Sequence, residues 1–189
     1  MDYRQCFAQY VPQNEQEATD QRIIAQWIDQ EGPSILLREN ERAHITASGW
    51  VCNEKMDKLL MVYHNIFQSW TIPGGHADGE SDPLQTAIRE SKEETGLTEF
   101  IVPADEMITL DIVPALAHTR HGHYVAPHVH LNAAYILIGD EHAQTHILAE
   151  ENSDVQWIPL NDVLSHIHEA HMVPLYTKVV ERLQNRVKG

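Results

Sequence analysis

Apolar residues in "NEQEATDQRIIAQWIDQ" (14–30) recur at helical spacing, with Ile23, Ile24, Trp27 and Ile28 on neighbouring turns, until Gly32-Pro33 breaks the pattern. This predicts an N-terminal helix, and a second short helix over about 34–40. From His44 the texture changes: "HITASGWVCN" and "KLLMVYHN" are short β-rich runs separated by the polar turn "NEKMDK", which predicts paired strands. "MITLDIVPAL", "LNAAYILIGD" and "DVQWIPL" are three further expected strands, the first two linked by the histidine-rich "AHTRHGHYVAPHVH". "NDVLSHIHEAH" reads as a short helix. "VPLYTKVVERLQNRVK" reads as a closing helix with Leu175, Val179, Val180 and Leu183 on one face.

Between these strands, 82–95 reads as a helix with both ends marked. Asp82 suits the N-cap, Pro83 the first helical position and Gly96 the residue just past the end. Leu84, Ala87, Ile88, Ser91 and Thr95 form the expected inward stripe, leaving Arg89, Glu90, Glu93 and Glu94 largely off it. Strands mixed with a few helices predict an α/β sandwich with a mixed sheet. The 189 residues suit one domain, with an N-terminal helical extension at 1–42, a core at 43–160 and C-terminal helices at 161–189.

Composition narrows the function classes. Apolar residues make up 42% of the chain, and no run approaches a bilayer span, so no membrane association is expected. The start lacks a cationic region followed by an apolar core, so the expected location is cytoplasmic. A net charge of −15 repels nucleic acid polymers and anionic membranes. Cys6 and Cys52 are too few for a disulfide framework or a thiolate metal site.

Candidate chemistry centres on "PGGHADGESDPLQTAIRESKEETGL" (73–97). On a helix, Glu90, Glu93 and Glu94 reach one patch, and like charges at that spacing cost roughly 0.2–0.5 kcal/mol per exposed pair. A divalent cation would reverse that cost, since Mg²⁺ and Mn²⁺ take hard oxygen ligands together with substrate phosphates. A solvated acidic helix face is the competing reading. Gly74-Gly75 lets the backbone approach a ligand and offers carbonyl oxygens.

The stretch resembles the Nudix box, G-x5-E-x7-R-E-U-x-E-E-x-G-U with U aliphatic. Gly75, Arg89-Glu90, Glu93-Glu94 and Gly96-Leu97 match in register. Ser81 stands where the box has Glu, and Ser91 where it has an aliphatic residue. "HITAS", "W-x-x-PGGH" and "EENSDVQWIPLNDV" extend the resemblance over roughly 44–160.

The resemblance implies a Nudix-like α/β/α sandwich and a pyrophosphohydrolase. Such an enzyme cleaves a phosphoanhydride bond in a nucleoside diphosphate linked to another moiety, using Mg²⁺ or Mn²⁺. It further implies Glu90 and Glu94 as metal ligands, Glu93 as ligand or outer-sphere partner, the Gly74 carbonyl as backbone ligand and Arg89 as the group that orients a glutamate. Family members take the general base from the box or from a later loop, where Glu150 and Glu151 stand, with Glu151 ranked ahead. The alternative is a non-catalytic Nudix-like nucleotide sensor, a class that usually loses the paired glutamates retained here. Isoprenoid diphosphate isomerisation, another use of the fold, needs a catalytic Cys in a context that neither Cys6 nor Cys52 has.

Thirteen histidines are many for this length. If a strand begins at 128, His128 and His130 point to the same side. Three readings stay open for the histidine-rich loop: contact with substrate, a transition-metal site, or a polar loop. Arg120 is its natural cation for a phosphate, and His44 and His76 are candidates at the site mouth. The apolar face of the 14–30 helix suits a homodimer as well as a core.

Overall fold

The computed structural model describes residues 1–104, 106–120 and 122–188, without the side chains of Arg120, Val187 and Lys188. In chain order the helices are α1 (Tyr3–Gln9), α2 (Glu15–Glu31), α3 (Pro83–Thr95), α4 (Val163–His166) and α5 (Val173–Lys188), with a 3₁₀ turn at Gly32–Leu36. The strands are β1 (Ala43–Cys52), β2 (Lys58–His64), β3 (Ser69–Thr71), β4 (Gly74–His76), β5 (Thr109–Ala115), β6 (His118–Arg120), β7 (His123–Val125), β8 (His128–Ile138) and β9 (Asn152–Pro159). The described residues form two compact units, one from 1–48, 75–87 and 106–135, the other from 49–74, 88–104 and 136–188. No helix among them is long and apolar enough to cross a membrane.

In the first unit, β5 and β8 pair antiparallel from Thr109↔Ala134 to Ala115↔His128. β8 runs alongside β1 in the same direction: the Val129 N–H donates to the Arg42 carbonyl, and further along the Asn132 side chain bonds Thr46 and Ser48. On the other side of β1, β4 approaches antiparallel, with the Ala77 N–H on the Ile45 carbonyl. The sheet is therefore mixed. Helix α2 starts where Asn14 accepts the Glu17 N–H at 2.8 Å, and it buries Ile24 and Ile28. Its Glu17 is also fully buried but satisfied, accepting from the Gln13 N–H at 2.8 Å and from the Thr109 hydroxyl at 2.9 Å. Helix α1 was not anticipated from the sequence, although Asp2 caps it and Tyr3, Cys6 and Phe7 form its buried face.

In the second unit, β2 lies between β1 and β9. Cys52 opposes Leu59, β9 pairs antiparallel from Lys58↔Pro159 to Val62↔Val155, and β3 joins at Val62↔Thr71. Helix α5 buries Tyr176, Val179, Val180 and Leu183, so Tyr176 takes the place on the inner face expected of Leu175, which is half-buried. The Tyr176 hydroxyl accepts the Ile72 N–H at 3.0 Å, and its ring sits 5.2 Å from Trp50.

Three expectations change. The helix expected over about 34–40 is the short 3₁₀ turn ending at Leu36. The expected helix in "NDVLSHIHEAH" stops at His166; beyond it the His168 N–H donates to the Ser69 hydroxyl and its ring meets the Gln68 carbonyl. Among the described residues of the histidine-rich link, expected as a loop, β6 and β7 pair antiparallel from His118↔Val125 to Arg120↔His123, and His128 begins β8.

Both cysteines are buried. Burial raises the Cys6 thiol above its ordinary pKa and pushes Cys52 up to about 12.

Helix α3 ends at Gly96, whose φ of +79° belongs to the left-handed region. A Cβ built there would lie 2.1 Å from the His146 ring. Gly96→Ala is expected to destabilise the chain by about 1–3 kcal/mol. An unchanged midpoint in urea denaturation would contradict this account of the cap.

Candidate active site

Helix α3 buries a different stripe from the one its apolar residues suggest. Pro83, Thr86, Ala87, Glu90, Ser91, Glu94 and Thr95 are buried, while Leu84 and Ile88 are only half-buried. Glu90 is 7% exposed and Glu94 is 2% exposed, so both carboxylates face inward although the apolar stripe leaves them off the buried face, and the competing reading of a solvated acidic face does not hold for these two. Glu93 lies apart from them. It is half exposed and accepts an N–H from Arg89 at 3.4 Å. The third carboxylate of the group is Glu151: one oxygen each from Glu90, Glu94 and Glu151 lie within 4.8 Å of one another.

Each member is positioned by a neighbour. The Gly74 N–H donates to Glu94 Oε1 at 2.9 Å, which places the glycine turn against the helix. Arg89 pairs with Glu90 at 2.6 Å. Glu151 is half-buried and Glu150 exposed, and the Glu151 backbone is fixed at both ends, its N–H on the Leu148 carbonyl and its carbonyl accepting from Asn65. Next to it, fully buried Asn152 donates to the Glu94 carbonyl at 3.0 Å and accepts the Leu148 N–H at 3.2 Å. Asn152 therefore ties the loop carrying Glu151 to the end of α3. No spacing rule singles it out, although an Asn directly after an acidic pair is the residue type that can satisfy a helix-end carbonyl and a loop amide together.

Burial pushes the Glu94 carboxyl well above the usual carboxylate range; Glu90, Glu151 and Glu93 act in the same direction, and the Gly74 N–H opposes them. Glu90 is likewise raised by burial, against the pull of Arg89. Desolvation, more than crowding along the helix, is thus the main cost of this arrangement. An all-oxygen donor set with two carboxylates withdrawn from water fits a hard divalent cation, whose charge offsets that cost.

Ser81 is exposed, and its carbonyl accepts the Tyr3 N–H. Ser91 is fully buried.

In the first unit the structure gathers His44, His76, His128 and His130, with ring centroids 4.8–5.1 Å apart for the close pairs. Burial lowers the His130 pKa well below its ordinary value, reinforced by His76, His44, His128 and His118. His44 is also lowered by burial. The Arg120 side chain and His121 lie outside the described residues.

The sequence model of the NUDIX domain matches residues 42–179. The mixed sheet, the glycine turn and the carboxylate-bearing helix thus define an α/β protein of known type. The chain belongs to the Nudix family. It is 26% identical over 133 residues to the CMP-5'-(N-acetyl-N-hydroxy-3-aminopropyl)phosphonate hydrolase of Streptomyces rubellomurinus, a match covering 68% of this chain and 58% of that protein. It is 29% identical over 113 residues to the asymmetrical bis(5'-nucleosyl)-tetraphosphatase of Rattus norvegicus, covering 59% of this chain and 70% of the relative. In structure it resembles a Caenorhabditis elegans Ap4A hydrolase solved as a binary complex, with a TM-score of 0.54 at 21% identity over 75% of this chain and 98% of the other. At that identity the likeness shows the fold.

Proposed function

We propose that this chain is a divalent-metal-dependent hydrolase that cleaves a phosphoanhydride bond in a nucleoside diphosphate linked to another moiety, by attack of water on phosphorus. The observation that carries this reading is the convergence of Glu90, Glu94 and Glu151, two of them buried, beside the glycine turn of a Nudix box. Relatives named as acting on dinucleoside tetraphosphates and as a probable dihydroneopterin triphosphate pyrophosphohydrolase support the same bond type.

Glu90 and Glu94 would hold Mg²⁺ or Mn²⁺, with the Gly74 carbonyl as a backbone ligand and Glu93 as an outer partner. When bound, the ion neutralises the diphosphate and lowers the pKa of an attacking water. The chain's own residues do the rest. The Gly74 N–H fixes one Glu94 oxygen and so orients the other. Arg89 holds Glu90 in place through their ion pair. Glu151, the half-buried member of the later acidic pair, orients the water and accepts its proton.

The deciding experiment incubates the full chain with dinucleoside polyphosphates, nucleotide sugars, ADP-ribose and oxidised nucleoside triphosphates, each with Mg²⁺ or Mn²⁺, and follows phosphate or nucleoside monophosphate release. Turnover of at least one class is expected. Tight metal-independent nucleotide binding with no turnover would make the protein a nucleotide sensor instead. Glu151→Gln should cost about 10²–10⁴-fold in kcat, whereas Glu150→Gln should stay within about threefold, since surface substitutions away from a site change little. The reverse ranking would move the base to Glu150.

A further inference from the structure

The histidine cluster of the first unit shares no residue with the carboxylate group and uses a different donor chemistry. From its geometry we infer that His44, His76 and His130, with His128 as fourth ligand, form a binding site for a late first-row transition ion, Zn²⁺ in the first instance.

His44 sits on β1, His76 ends β4, and His128 and His130 open β8, so three neighbouring strands each direct imidazoles to one place. One ring nitrogen each from His44, His76 and His130 lie within 4.8 Å of one another. His128 Nε2 lies 3.2 Å from His130 Nε2, a hydrogen bond whose proton a metal ion would displace. A tetrahedral zinc ion with Zn–N bonds of about 2.0–2.1 Å holds its nitrogens about 3.3 Å apart and its ring centroids about 5 Å apart. The observed centroid separations are 4.8 Å for His44–His76 and His44–His128, 5.0 Å for His44–His130 and His128–His130, and 5.1 Å for His76–His130. Five of the six ring pairs thus lie near the spacing such an ion imposes, and the nitrogens of His44, His76 and His130 would draw in from within 4.8 Å to about 3.3 Å on binding.

Two ring tautomers are set in the form that binds metal. His44 Nδ1 faces the Asn40 carbonyl at 3.0 Å, and His128 Nδ1 faces the Ala126 carbonyl at 2.8 Å. A carbonyl only accepts, so each Nδ1 carries the proton and each Nε2 presents a lone pair, the outer-shell arrangement common for metal-bound histidine. His44 is 2% exposed, and its Nε2 is a buried nitrogen with no hydrogen-bond partner. A buried acceptor left unsatisfied destabilises the fold, and an ion at this point would satisfy it. A direct phosphate site fits less well, because the anion needs N–H donors or imidazolium charge where His44 and His128 offer lone pairs.

The test strips the full-length protein with chelator and titrates it with Zn²⁺ against a chromogenic competitor, in a Glu90→Gln/Glu94→Gln background that removes the oxygen site. One equivalent should bind with sub-micromolar affinity, and Co²⁺ in its place should give the intense visible bands of a four-coordinate nitrogen site. His130→Ala and His76→Ala should each weaken Zn²⁺ at least about tenfold, with circular dichroism confirming the fold. If His130→Ala fails to fold, His76→Ala decides, because its ring is half-buried. Absence of a tight equivalent, or affinity unmoved by folded His76→Ala, overturns the site. Histidine NMR signals that shift with inorganic phosphate in metal-free protein, without tight Zn²⁺ binding, would make it an anion site.

Discussion

Glu94→Gln is expected to lower hydrolysis about a thousandfold or more while leaving the metal-free chain at least as stable as the parent at neutral pH. The loss follows if the ion contributes several kcal/mol to stabilising the transition state and Glu94 is one of its principal ligands. The stability half follows from burial. Glu94 is 2% exposed, and its carboxyl is raised well above the ordinary glutamate value of about 4.5, first by burial, with Glu90, Glu151 and Glu93 adding to it. A group raised on folding contributes stability that is complete below its unfolded pKa and is lost as pH rises through the folded value. In metal-free protein this contribution therefore fades above about pH 4.5. Glutamine, always neutral, has no such dependence. Thermal melts across pH 4–8 with chelator, then with Mn²⁺, would show it: the parent gains more from the ion than the variant does. A variant that kept its activity, or that melted well below the parent without metal, would remove Glu94 from the metal site.

Asn152→Ala should be the most damaging change outside the carboxylates, costing about 2–4 kcal/mol of stability and roughly tenfold in kcat. Its fully buried side chain spans the Glu94 carbonyl and the Leu148 N–H, and truncation leaves both backbone groups without that partner. The kinetic loss arises through its neighbour Glu151, whose loop is tied to α3 by this amide, so kcat should fall more than KM changes. Asn152→Asp cannot restore it, because a carboxylate does not donate to the Glu94 carbonyl. An unchanged urea midpoint would show that the tie carries no load.

The sequence made the helix ends readable because caps are local: Asp82 accepts the Leu84 N–H, and Gly96 takes positive φ. Which way the helix faces is legible only in part: Ala87, Ser91 and Thr95 are buried as the apolar stripe predicts, but Glu90 and Glu94 share that buried face while Leu84 and Ile88 are half-buried, because amphipathic patterning assigns carboxylates to solvent. The proximity of Glu151 to both depends on the loop and on Asn152, neither of which spacing reports. The histidines divide in the same way. Strand alternation places His128 and His130 on one side, but their meeting with His44 and His76 depends on pairing between strands far apart in sequence.

The burial of Cys6 and Cys52 has a practical side. With both sulfurs shielded and held as thiols, a low dose of peroxide or a maleimide finds no ready thiolate on the native fold. Catalysis should then run equally well in air and under reductant. A cysteine introduced at exposed Ile66 would be the favoured point of attachment for a probe.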